Sequence, residues 1–569
     1  MVKMKRLLAL ILALLMCFSL VACGSSEQEE QKDVSDVAKE NIENIQNKAE
    51  ENGVVEVEDY PFDEIRKSTA NSDERYPFVE FAQNLSATEW QPYNMQDSAK
   101  AMGVRLIYEC LLDYVGPNTY EGRIAKEWYE EDDTHVIVKI HENVYDSAGN
   151  HITADDVVFS YKLNADSGYA YNFEYYKDIE KVDEYTVRLT WTEPLSNLKA
   201  FRYLMAHVAI VSEKAYNKEL FAKAPIGTGP YVLTDYITDA YAEFEVNENY
   251  WQKDESLRAK YAQQNAEVIR IDFVTDAAMR MIQLENGTSI CNPYLQPTDI
   301  DSLLVGGEYE GMFNLTTCYQ TTNQSLVANM SEDSIMNDIN MRLACWYAID
   351  SNAITAALGS NAFVPTIVDA CASIGDYQDS WDEIQSYQTT YDPELAKEYL
   401  KKAGYNGETI TILSGTWDAK KKTAQVVQGM LQAVGIKCEI YVVEFVLQDS
   451  MLADSKAWDI YTHSGGDADY TINRLNTVYA ISQGKVEGVN TQWLNDPVLE
   501  DMLKRCSDPD TYSTELTGEI LQYIIDNAYG YGGCYQTSYM AWNKDVAKPM
   551  MVYGYDTLTL PNCFEYYLD

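Results

Sequence analysis

Histidine is scarce: five residues, His135, His141, His151, His207 and His463, are scattered over 569 positions. None belongs to an H-E-x-x-H helix, and neither a G-x-S-x-G elbow nor a G-x-x-x-x-G-K-[ST] phosphate loop is present. Asp467-Ala468-Asp469 opens like a calcium loop, but Ile472 stands at the sixth position, where the sharp turn needs glycine. These absences leave no catalytic residue, metal site or cofactor to assign, and the chain reads as a non-enzyme. Basic residues are also few, 43 Lys and Arg against 89 Asp and Glu, for a net charge of -46. Phosphate binding needs clustered Lys and Arg, so nucleic acid is excluded as a partner. Among the 11 cysteines there is no C-x-x-C and no compact disulfide framework, which predicts mostly free, buried thiols.

Long apolar runs are confined to the start. Lys3, Lys5 and Arg6 precede the uninterrupted stretch Leu7–Leu15, and apolar character continues to Ala22. That pattern predicts a secretory signal, residues 1–22, too short for a membrane span. Leu20-Val21-Ala22-Cys23 resembles the bacterial lipobox, which implies a lipid on Cys23 and an anchored mature chain. Residues 23–72 are rich in Glu, Gln, Lys and Asn and predict a disordered acidic tether. Val34, Val37, Ile42 and Ile45 share one face of a marginal helix within it.

The remaining length exceeds one hydrophobic core and predicts several domains. Val136, Val138 and Ile140 alternate as a strand, as do Val187, Leu189 and Trp191. Between them, Asp146–Asn150 reads as a turn and Thr153 with Asp156 as a capping box. Pro225–Tyr231 is a dense Gly-Pro turn between strand-like segments. Further on, Asp392-Pro393 starts a helix that Gly404 ends. Strand Thr409–Leu413, a helix carrying Val427, Met430, Leu431 and Val434, strand Ile436–Tyr441 and strand Asp459–Thr462 follow. That alternation predicts an open α/β sheet. Tyrosine, 44 residues, is the compositional excess.

Several segments resemble, in order, the peptide and nickel class (family 5) of extracellular solute-binding proteins of ABC importers. They are Gln91-Pro92-Tyr93-Asn94, the helix-like Ile107–Leu112, Ala125–Trp128, Ile152–Ser160, Ile226–Tyr231, Asn247–Trp251, Arg342–Asp350, Tyr391-Asp392-Pro393 with Ala403-Gly404-Tyr405, and Asp467–Tyr470. The resemblance implies an α/β, two-lobed periplasmic-binding-protein-like fold (type II, cluster C) with an extra inserted domain. Domain I would comprise residues 73–111, 207–315 and 528–569, inserted domain II residues 112–206, and domain III residues 316–527. It implies capture of oligopeptides or dipeptides in an interdomain cleft by hinge closure. A monomer on the extracellular face of the cytoplasmic membrane would then deliver them to ABC permease subunits.

By the same resemblance Asp469 takes the position of the family aspartate that pairs with a peptide α-ammonium, with Asp467 beside it. A solvated turn aspartate is the alternative reading. The segment departs from the family at Gly466, where tryptophan is frequent, and at Thr471-Ile472-Asn473. Phe445 occupies a position where the family often places an aromatic near ligand; core packing is the equal reading. Thr88 lies in a stretch resembling a ligand-lining strand. Topology alone places Trp417, just past a strand end, at the cleft, and Gly465-Gly466 is expected to let backbone approach the ligand. Four alternatives stay open: an oligosaccharide on aromatic platforms such as Trp417, a nickel chelate near His463, a surface glycoside hydrolase, and a receptor whose closure on ligand is read by a partner instead of a permease.

Overall fold

The protein, a computed structural model, is described for residues 66–568, apart from 94, 96–100, 117–118, 169–172, 193–197, 260–261, 305, 360, 368–369, 372–373, 375, 385, 466–467, 469, 509 and 551–563. The expected signal, Cys23 and the tether up to residue 65, with its marginal helix, lie outside these residues; the last part of the expected tether, 66–72, is instead ordered, with Ser68 buried and Thr69 N donating to Tyr566 O at 2.9 Å. The described residues fall into two compact units, one within Lys48–Cys318 and Ser538–Asp569, the other within Tyr319–Thr537.

In chain order the first unit carries β1 (Tyr76–Gln83), β2 (Ala125–Asp132), β3 (His135–Ile140), α1 (Ala154–Ser167), β4 (Tyr176–Asp183), β5 (Thr186–Trp191), β6 (Tyr231–Ile237), β7 (Tyr241–Val246) and β8 (Ala266–Phe273). Two four-stranded sheets result, ordered β1-β8-β7-β6 and β2-β3-β5-β4. Each has its own buried cluster. One gathers Phe81, Phe244, Ile269 and Ile271; the other gathers Val136, Val138, Val187, Leu189 and, from α1, Val157 and Tyr161. The alternation that predicted β3 and β5 puts these side chains on one face. The turn between β3 and α1 closes because Asp146 accepts from the Ala148 and Asn150 amides and Gly149 takes φ 82°. At α1, Asp156 accepts the Thr153 amide at 2.8 Å, completing the expected capping box.

The resembling segment Ile107–Leu112 is not one helix: the helix Ala101–Ile107 stops before Glu109. Glu109 is buried, and its carboxylate accepts from Tyr250 at 2.5 Å, Trp251 Nε1 at 2.6 Å and Arg123 Nε at 2.9 Å. Asp113 lies 3.7 Å from the same guanidinium, and burial pushes its carboxyl up to about 6. Two separated motifs of the sequence are therefore one charge-assisted knot. Likewise the Gly227–Tyr231 turn runs against the preceding helix end. Gly229 donates to Ile107 O at 2.8 Å, and a Cβ at Gly227 or Gly229 would collide with the Ile107 and Leu106 carbonyls.

The second unit begins inside β9 (Asn314–Ala328). It continues with α2 (Ile339–Tyr347), α3 (Pro393–Lys402), β10 (Thr409–Gly415), α4 (Asp418–Ala433), β11 (Lys437–Val443), α5 (Phe445–Leu452), β12 (Ile460–His463), α6 (Thr471–Tyr479), α7 (Thr514–Asp526) and β13 (Gly530–Trp542). Its sheet runs β13-β9-β12-β10-β11. β10, β11 and β12 are mutually parallel, with Ile412 opposite both Ile440 and Ile460. Their carboxyl ends, Val443, Gly415 and His463, therefore share one edge. Buried Ile410, Ile412 and Leu413 make β10 a central strand, and α4 packs on the sheet through Ala424, Val427 and Leu431. The Asp392 carboxylate caps α3 through the Glu394 and Leu395 amides. Arg342 on α2 donates to Asn527 O and Ala528 O beyond α7 and to Met336 O and Asn337 O, so this resembling residue ties helix ends together. Cys110, Cys345, Cys438, Cys506 and Cys534 are free, buried thiols, as expected.

Candidate functional site

The chain leaves β10 at Gly415 and turns through Thr416 and Trp417 into α4. It leaves β12 at His463. Both exits open on one pocket of about 290 Å³, lined by Trp417, Lys420, Asp449, Tyr461, His463 and Lys485 among others. Ligands of open α/β sheets sit beyond the carboxyl ends of parallel strands. Trp417 is 63% exposed, and its ring is available to a ligand.

Lys420 is the residue that sequence reading missed. It sits in the first turn of α4, yet it is only 7% exposed. Among the described residues it has no ion pair. Its Nζ donates to Tyr461 OH at 3.4 Å and lies 5.6 Å and 5.4 Å from the ring centroids of Trp417 and Tyr461. Burial lowers the ammonium to about 8. Burial, with Lys420 and Arg474 nearby, lowers His463 to about 3, so its imidazole is neutral at physiological pH. Its Nδ1 lies 3.3 Å from Ser325 Oγ. The more exposed Asp449 and Lys485 pair at 3.1 Å. Burial and the Asp449 charge raise the Tyr461 phenol, which keeps its proton and serves as a dipole.

Asp467 and Asp469 lie outside the described residues, as does Gly466. The flanks of their loop are anchored. Gly465 N donates to Asn323 Oδ1 at 2.9 Å, and Arg474 Nη1 donates to the same oxygen. A Cβ at Gly465 would meet Arg474 Nη1 at 2.7 Å and Asn323 Oδ1 at 2.8 Å. The missing side chain thus makes room for internal packing, which corrects the expectation that Gly465 clears a path for ligand. On the far side, buried Asp376 accepts from Thr471 N at 2.9 Å and Thr471 Oγ1 at 2.8 Å, and from Tyr512 OH at 2.7 Å. It fixes the start of α6 from nearly a hundred positions away, and no local signal could have found it. Phe445 opens α5; its side chain lies outside what is described. Thr88 is exposed in irregular chain after β1, in the other unit, and not in a strand.

A family profile described as "Bacterial extracellular solute-binding proteins, family 5 Middle" matches residues 119–484. Heme-binding protein A of Haemophilus influenzae is 27% identical over 366 residues, covering 58% of this chain and 63% of the relative. The chain thus spans less than two thirds of that relative. The dipeptide-binding protein of Escherichia coli is 24% identical, covering 74% of this chain and 82% of the relative. Among solved structures, NikA from Brucella suis in complex with Fe(III)-EDTA superposes with a TM-score of 0.68 at 18% identity, over 84% of this chain and 97% of NikA. That likeness shows the two-lobed binding-protein fold expected from the sequence. With 366 of its residues matched by one family profile, the chain belongs to the family 5 bacterial extracellular solute-binding proteins.

Proposed function

We propose that this chain captures oligopeptides or dipeptides and delivers them to the permease subunits of an ABC importer. The observation that carries the reading is the pocket at the carboxyl ends of β10 and β12, lined by exposed Trp417 and by His463 and Ser464. The similar Escherichia coli protein is named for dipeptide binding, which supports this ligand class. Asp469, with Asp467 beside it, is the proposed partner of the peptide α-ammonium, because a desolvated carboxylate makes a charge-assisted hydrogen bond to a cation. Phe445 and Thr88 complete the proposed contact set. Capture works by hinge closure, in which ligand stabilises the closed state more than the open one. The three-domain division proposed above is supported by the separate buried cluster that residues between Leu111 and Ile210 form with Tyr250 and Trp251. Residues 1–22 act as a signal, and a lipid on Cys23 holds a monomer at the extracellular face of the membrane; two or more acyl chains anchor stably.

A second reading, a metal chelate, is favoured by the neutral imidazole of His463 at the pocket. Thermal unfolding against short peptides, heme and a Ni(II)–histidine chelate separates the readings. A peptide at ~100 times its dissociation constant stabilises the native state by about 2.7 kcal/mol. Stabilisation by peptides that Asp469→Ala abolishes supports the proposal. Stabilisation by heme or chelate alone discards the peptide assignment together with Asp469.

A further inference from the structure

Helix α6 begins without a cap of its own. Tyr470 stands at the N-cap position, and its side chain makes no capping hydrogen bond, where Ser, Thr, Asp or Asn would. Thr471 behind it is fully buried, and a buried N–H left without an acceptor is costly. Asp376 supplies the acceptor from another part of the chain. One of its oxygens takes Thr471 N at 2.9 Å and Thr471 Oγ1 at 2.8 Å, and the other takes Tyr512 OH at 2.7 Å. Burial raises the Asp376 carboxyl, and these hydrogen bonds work the other way. Tyr470 in turn packs edge-on against the Tyr512 ring, with centroids 5.2 Å apart. The segment that carries Asp376 is itself seated: Ile374 and Trp381 are buried, and a Cβ at Gly518 of α7 would come within 2.9 Å of Trp381 Nε1.

The loop that ends at α6 is tied to this helix at both ends. Asn323 of β9 accepts Gly465 N at 2.9 Å and also Arg474 Nη1, from within the first turn of α6. Residues 466–470 therefore run between two held points, Gly465 and Thr471, and Ala468 among them is buried. Asp469 stands two positions before the amide that Asp376 holds.

We propose that Asp376 is a positioning residue for ligand capture: by capping α6 from outside the helix, together with Tyr512, it sets in advance the loop from which Asp469 meets a ligand ammonium. The proposal rests on the Asp469 reading above and adds the residue that prepares it. A loop ordered before ligand arrives loses less conformational freedom on binding, and affinity gains accordingly. Asp376 acts through Thr471, Tyr470 and Tyr512 and not on the ligand itself. The role needs an acceptor more than a charge. In Asp376→Asn the amide oxygen still accepts both Thr471 donors, and the amide N–H donates to Tyr512 OH; Asp376→Ala leaves all three donors unmet.

Calorimetric titration with trialanine of the full chain and its variants Asp376→Ala, Asp376→Asn, Asp469→Asn and Asp376→Ala/Asp469→Asn is the test. Asp376→Ala should weaken trialanine binding about tenfold, and Asp376→Asn should stay within about threefold of the wild type. The double variant should bind no more weakly than Asp469→Asn alone, because a loop without its carboxylate gains nothing from being set in place. A residue that only stabilised the fold would weaken binding equally in both backgrounds, and the cycle separates the two roles. Trialanine binding that is unchanged in Asp376→Ala, or losses that add in the double variant, overturns the proposal while leaving peptide capture standing. If Asp376→Ala does not fold, Tyr512→Phe, which keeps the ring and removes one hydrogen bond, enters the same cycle with Asp469→Asn and is judged by the same criterion. If trialanine binds Asp469→Asn as tightly as the wild type, the Asp469 reading falls and this positioning role with it. If trialanine does not bind the wild type, the peptide reading falls as well.

Discussion

Replacing Lys420 with methionine is expected to make the ligand-free protein more stable at neutral pH. Burial lowers the ammonium from its ordinary 10.5 to about 8. Each tenfold change in proton affinity is about 1.4 kcal/mol, so holding the charged form in the folded state costs on the order of 3 kcal/mol. The unfolded lysine keeps its proton up to its ordinary value, whereas the folded one releases it near pH 8. Between those values the unfolded state binds more protons, so wild-type stability rises with pH across that window. Below pH 8 both states are charged and the full burial cost is present. Methionine, of similar length and without charge, removes it. Denaturant unfolding of both proteins from pH 6.5 to 10.5 reads the difference. The variant should lead by up to about 3 kcal/mol at pH 7, and its lead should shrink as pH climbs from 8 to 10.5. A stability difference that stays flat across that range refutes the reasoning, whatever its sign.

Other parts of the fold give equally direct expectations. Glu109→Ala leaves the Tyr250 hydroxyl and the Trp251 N–H without their buried acceptor and takes one of two carboxylates from the buried Arg123 guanidinium, and should destabilise by about 3–5 kcal/mol in urea unfolding. Glu80 is pushed up to about 7, chiefly by burial and then by the Asp272 carboxyl. The folded state therefore binds more protons between about pH 4.5 and 7, and wild-type stability falls as pH rises through that window. Glu80→Gln should flatten the decline in a pH series of melting curves. Burial raises the Cys345 and Cys534 thiols, so neither should react with a thiol reagent at pH 8 until denaturant unfolds the chain.

What the sequence disclosed was mostly local. The strand at His135–Ile140, the box at Thr153 and Asp156, and the helix behind Asp392 each follow from periods and caps within a few residues. The strands at Thr409, Lys437 and Ile460 were legible for the same reason, and their pattern alone puts Trp417 at a strand exit. Lys420 was not legible. In sequence it opens the run Lys420-Lys421-Lys422 on a helix, which reads as a solvated face; only packing against β12 buries one of the three. Gly465 read as clearance for a ligand because its long-range neighbours, Asn323 and Arg474, were unknown. Glu109, Tyr250 and Trp251 stood out as resembling segments, but the knot joining them across more than a hundred residues has no sequence period.

Calorimetric titration of the full chain with a mixed set of di- to tetrapeptides, and in parallel with heme and a Ni(II)–histidine chelate, tests the central claim most directly. The account predicts saturable one-to-one peptide binding with a negative heat-capacity change from buried apolar surface. Saturation by heme or chelate with no peptide response would contradict it.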